Sequence, residues 1–205
     1  MSGALSALDE LVESPIGSVF KLEFETLVER HRALVNYVVG DPIRFSRRQR
    51  QELIDQIQSG RHDESGLYQA CIALELASAE QDVDLARSAL PLVGEALESG
   101  WVFTTGWPFF LPRLVGTAKL LLGDVAGATE QLVAALTTTP IDELPIERGR
   151  VCFDLARAFA LSPNAPDRED AVGFARDARD VLAAYPRNAF LERAQGLVRF
   201  LETRS

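Results

Sequence analysis

Reactive side chains are scarce in this sequence. Its 205 residues include two histidines, two cysteines and one methionine. Cys71 and Cys152 lie far apart in apolar, helix-like surroundings, where a free cysteine behaves as a small buried hydrophobe, so neither a disulfide nor a redox pair is expected. His31, in VERHRAL, has apolar Leu27 and Val35 at helical spacing rather than a second ligand. His62, in GRHDESG, falls between helices, where polar residues are ordinary. HExxH, CxxC, GxSxG and the GxxxxGK[ST] phosphate loop are absent. With no nucleophile–base pair and no metal constellation, the chain is expected to be no enzyme and to use neither cofactor nor metal.

Long apolar runs and surplus basic charge are missing too. No stretch approaches the roughly 20 apolar residues of a membrane span. The start, MSGALSALDELVESP, lacks a basic region and an apolar core, so a cytoplasmic protein without signal peptide or membrane partner is expected. A net charge of -9 argues against nucleic acid as a partner. What remains is 47% hydrophobic and 25% charged, the composition of a globular domain.

Helical periodicity dominates that remainder. Apolar residues recur at three and four spacings over Leu114 to Leu122 and Val151 to Leu161. Glycines 40, 60, 100 and 123 close apolar runs, and Pro42, Pro140 and Pro186 block continuation. About ten helices are expected, over 3–13, 18–39, 46–59, 64–79, 83–98, 107–122, 125–137, 145–161, 168–184 and 188–202. Pro108 would fit the first turn of the sixth, and Pro91 would kink the fifth. Asp41, Asp82, Asp124 and Asp167 are spaced by 41, 42 and 43 residues, each where a second helix of a pair would begin and need an N-cap.

Small residues sharpen the repeat. In LVGTAKLLLGDVAGATEQLVAALTTTP, Gly116 and Ala128 would let two helices approach, Gly123 would make the turn, Ala135 would thin the second helix and Pro140 would end it. This pattern resembles a tetratricopeptide repeat. Ala156, Phe159, Ala171, Ala175, Ala178 and Pro186 repeat it more loosely, as do Leu74, Ala86 and Ala89. GRVCFDLARAFA, DREDAVGFARDARDVL and LERAQGLVRFLE are similar to the C-terminal repeat region of large bacterial signalling proteins that carry an ATPase and often a cyclase or DNA-binding domain. The resemblance implies an all-α, right-handed solenoid of antiparallel helix pairs closed by a capping helix. Residues 1–60 would hold N-terminal helices and a divergent first repeat, and 61–205 the helix pairs, as one continuous domain. A closed helical bundle is the competing arrangement.

The resemblance also implies a concave groove lined by first helices, with Tyr68, Cys71 and Glu75, then Phe110, Arg113 and Thr117, then Arg150, Phe153 and Arg157. Arginine meets carboxylates through paired hydrogen bonds, so the groove would take an acidic protein segment or a small anion. The competing reading is that these arginines bridge acids such as Asp154. Arg113→Glu with Arg157→Glu is expected to abolish binding and spare helicity. Two further interface candidates are the aromatics Trp101, Phe103 and Trp107 and the cluster Arg44, Arg47, Arg48 and Arg50, which Glu52 and Asp55 could equally neutralise. The apolar face of Leu5, Leu8, Leu11 and Val12 would pack on the chain's own array, as short amphipathic helices more often do, or pair in a homodimer. The expected function is a non-enzymatic interaction module of a bacterial regulatory assembly, with a sensor of a small anionic ligand or short peptide as the alternative.

Overall fold

The computed structural model describes Arg32 and residues 46–59, 64–104, 109–138, 141–162, 166–185 and 188–203. The expectations for Leu5, Leu8, Leu11, Val12, His31, Asp41, Arg44, His62, Trp107, Pro108, Pro140 and Pro186 lie outside the described residues.

Among the described residues the chain is all-α. Eight helices follow one another: α1 (Arg47–Gln58), α2 (Glu64–Glu80), α3 (Val83–Glu98), α4 (Leu111–Leu121), α5 (Val125–Thr137), α6 (Pro145–Leu161), α7 (Pro166–Ala183) and α8 (Ala189–Glu202). A short 3-10 turn, Ile141–Glu143, precedes α6. The backbones of the described helices pack on those one or two places away: α2 on α3, α4 on α5 and α6 on α7 as hairpins, and α2, α4 and α6 side by side. The main apolar core runs from Leu53 in α1 to Ala194 in α8. No described helix is long and apolar enough to cross a membrane.

Capping side chains set the helix starts. Ser46 and Gln49 form a reciprocal capping box on α1. The Asp82 carboxylate accepts from the N–H groups of Asp84 and Leu85, and that of Asp124 from Gly127. The residue before each aspartate has positive φ, +58° at Gln81 and +85° at Gly123, so the two hairpins turn alike. Asp167 was expected as a cap in the same series, but α7 begins at Pro166 and Asp167 lies inside its first turn. Asp124→Ala is expected to cost about 1 kcal/mol and Asp124→Asn a few tenths, read from urea midpoints.

Helix α4 starts four residues later than its periodicity suggested. Phe109 and Phe110 are extended, and Phe110 pairs with Phe103 in an isolated bridge. The Leu111 N–H donates to the Val102 carbonyl at 3.0 Å, and the Phe109 N–H to the Thr104 hydroxyl at 3.1 Å. Residues 102–104 and 109–111 therefore pair with one another, and Pro112 occupies the first helical turn.

Two glycines on first helices let the hairpins close. A Cβ at Gly116 would lie 2.6 Å from Leu132 Cγ, and one at Gly149 would lie 2.8 Å from Leu182 Cγ. Ala128, Ala135, Ala156, Ala171, Ala175 and Ala178 are fully buried, so the expected small-residue positions do face neighbouring helices.

Candidate functional site

The first helices of the three hairpins bring charge into the interior. Glu75 of α2, Arg113 of α4 and Arg150 of α6 are at most 6% exposed. The two Glu75 carboxylate oxygens accept from Arg113 and Arg150, one each. Glu147, one turn before Arg150 on α6, closes the ring: it accepts from Arg113 Nε at 2.5 Å and from Arg150 Nη1 at 2.9 Å. Two guanidiniums and two carboxylates thus balance in charge. The Glu75–Arg150 pair joins two helices that share no backbone packing.

A second pairing extends the ring. Asp154 accepts from the Thr117 hydroxyl at 2.6 Å and from Arg157 Nη1 at 3.1 Å. Glu147, Arg150, Asp154 and Arg157 are spaced three, four and three residues apart, which puts them on one face of α6. Beside this face opens a cleft of about 250 Å³, lined in part by Arg113, Arg150, Arg157 and Arg193 with Phe153 and Phe190. The guanidinium of Arg150 lies 4.4 Å from the Phe190 ring centre and that of Arg193 5.3 Å, while Arg157 lies 5.8 Å from that of Phe153. Such stacking holds arginine heads in place against apolar walls.

Burial and pairing oppose each other in this cluster. Burial alone would raise the Glu75 pKa, but Arg113 and Arg150 outweigh it and hold the carboxyl below its ordinary 4.5. Burial likewise opposes the charge on Arg113, yet Glu147 and Glu75 raise its pKa. A carboxyl depressed in the folded state contributes stability that is full above its unfolded value and is lost as the pH falls through the folded one. Urea midpoints are therefore expected to fall below about pH 4.5. In Glu75→Gln, which has no proton to take up there, that fall should be shallower.

The structure brings together Glu75, Arg113, Thr117, Arg150, Phe153 and Arg157 of the expected groove, but not the others. Phe110 is fully buried and stacks on Phe103 with ring centres 5.1 Å apart. It precedes α4 in extended backbone, so the helical spacing from Arg113 does not reach back to it. Tyr68 packs edge-on against Phe109 at 5.3 Å and is absent from the cleft lining; burial pushes its hydroxyl up to about 12. Arg113, at 2% exposure, is a buried structural cation. The expectation that Arg113→Glu spares the fold is therefore corrected, because it would set a third carboxylate against Glu75 and Glu147. The bridging reading holds for Arg157, whose partner is Asp154.

Three contributors were missed. Glu147 sits three residues before Arg150 on the same helix, a spacing visible in the sequence. Phe190 and Arg193 belong to α8, read only as a closing helix. The other candidates disperse. Trp101 is 44% exposed, and Phe103 is half-buried against the core around Phe110. Arg47 is exposed, Arg48 pairs with Glu52 at 2.7 Å, and Arg50 binds Glu80 and, at 2.8 Å, Asp82. Arg50 thereby ties α1 to the α2–α3 turn and is no free docking cation. Cys71 and Cys152 are buried and free. Burial raises both thiols, that of Cys152 to about 11, which disfavours the reactive thiolate.

Scans against protein-family models, curated proteins and solved structures return no match to this chain. Among the described residues no group of three His, Cys, Asp or Glu side chains is placed to hold a metal ion.

Proposed function

We propose that this chain is a non-enzymatic interaction module, a right-handed solenoid of tetratricopeptide-like helix pairs that docks an acidic segment of another protein. The observation that carries the reading is the shared face of α6 and α8, where Arg157 and Arg193 line one cleft above the buried ring of Arg113 and Arg150. Backbone packing confined to helices one or two places apart supports the solenoid, while the Glu75–Arg150 pair reaches from the first hairpin to the third. The turns at Gln81–Asp82 and Gly123–Asp124 support a repeated hairpin unit. The module would work in the cytoplasm as part of a bacterial signalling or regulatory assembly.

Native mass spectrometry on protein purified gently from its own source tests the reading. A second protein retained by the natural chain and lost from Arg157→Glu with Arg193→Glu is the expected result. Arg193 is exposed but Arg157 pairs with the buried Asp154, so circular dichroism and a urea midpoint on that variant must first show that it is folded. A partner retained equally by the variant would remove the cleft from the docking surface.

A further inference from the structure

The cleft is too small to enclose a protein segment, which would lie across its mouth. Pockets that bury drug-sized ligands measure about 300–1,000 Å³, whereas this one measures about 250 Å³. That volume suits a body the size of an amino acid or a simple aromatic acid.

Its chemistry is equally narrow. Arg113 and Arg150 are committed to Glu75 and Glu147. Arg157 is committed only in part: Nη1 donates to Asp154, and no described residue accepts from its Nε or Nη2. That Nε–Nη2 edge is the geometry that meets one carboxylate through two parallel hydrogen bonds. Asp154, itself fixed by the Thr117 hydroxyl, holds the guanidinium in place, so little side-chain entropy remains to be lost on binding. Phe153, half-buried beside it, and Phe190, with ring centres 6.4 Å apart, supply an apolar wall.

We propose that the cleft is a binding site for a small organic monocarboxylate with an apolar body, with Arg157 gripping the carboxylate and Phe153 flanking the body. This goes beyond docking, because the ligand is a free small molecule and the site needs no partner protein. An effector bound there would sit at the junction of α4, α6 and α8, on the face assigned above to docking.

Benzoate, benzamide and acetate are the probes. Benzamide keeps the ring and loses the charge, and acetate keeps the charge and loses the ring. The full chain is titrated while the arginine Nε–Hε resonances are followed by NMR, up to about 10 mM, where a Kd near 1 mM would approach saturation. Benzoate is expected to shift the Arg157 signal saturably, with benzamide and acetate each at least tenfold weaker. Arg157→Gln, checked by circular dichroism, should lose benzoate affinity at least tenfold, and Arg157→Lys, which keeps the charge without the fork, should lose less. Equal binding of benzamide, no saturable shift, or full affinity in a folded Arg157→Gln would overturn the site. Benzoate binding with no partner retained in native mass spectrometry would leave this site standing and remove the docking reading; the reverse pair of results would remove this site alone.

Discussion

Glu75→Ala is expected to destabilise the fold by about 3–5 kcal/mol, because it leaves two guanidiniums buried with one carboxylate between them. At roughly 2–4 °C per kcal/mol for a chain of this length, the melting temperature should drop by roughly 6–20 °C. The loss measures the cost of an uncompensated buried charge and not the net worth of the ring. Replacing the ring's buried members together, Glu75→Leu with Arg113→Met and Arg150→Met, is expected to recover most of the stability, since apolar side chains of similar volume remove the desolvation cost. Glu147, at 17% exposure, keeps access to water in that variant. Urea denaturation of the natural chain, the single variant and the triple variant checks both parts. A single variant within about 1 kcal/mol of the natural chain would contradict the paired burial of Glu75.

Leu132→Ala is expected to cost about 2–5 kcal/mol, the range for emptying a fully buried leucine site. Leu132 is fully buried and fills the space over Gly116. Gly116→Ala alone should cost about 1–3 kcal/mol, because overpacking at that contact exceeds the gain in helix propensity. The two substitutions together should cost less than their sum, since the new methyl at 116 enters the cavity left at 132. The coupling falls in the range of about 0.5–3 kcal/mol expected for touching residues. A double-mutant cycle on urea midpoints reads it directly, and strict additivity would mean that the α4–α5 contact is looser than the structure places it.

How far each feature could be read without the structure follows from the range of the interactions involved. The all-α character, most helix spans, the caps at Asp82 and Asp124 and the positive-φ turn at Gly123 depend on residues within about one helical turn, and local spacing was enough to find them. The alanines that face neighbouring helices followed from the same periodicity. The start of α4 did not, because hydrogen bonds donated by Leu111 to the Val102 carbonyl and by Phe109 to the Thr104 hydroxyl hold Phe109 and Phe110 extended where helical spacing alone continues. The arginine face was half legible. The tetratricopeptide resemblance put Arg113, Arg150 and Arg157 on one face of the first helices, but charge pattern alone could not say which acids would meet them. Glu75 and Arg150 lie 75 residues apart in the chain, and only packing of three hairpins brings them together. That packing turned Arg113 and Arg150 from expected ligand contacts into buried structural ions, left Arg157 partly engaged, and delivered Phe190 and Arg193 from a helix whose sequence marked it only as a cap. Side-chain burial depends on every neighbour at once, so whether a charge serves the interior or a partner was decided by the tertiary structure.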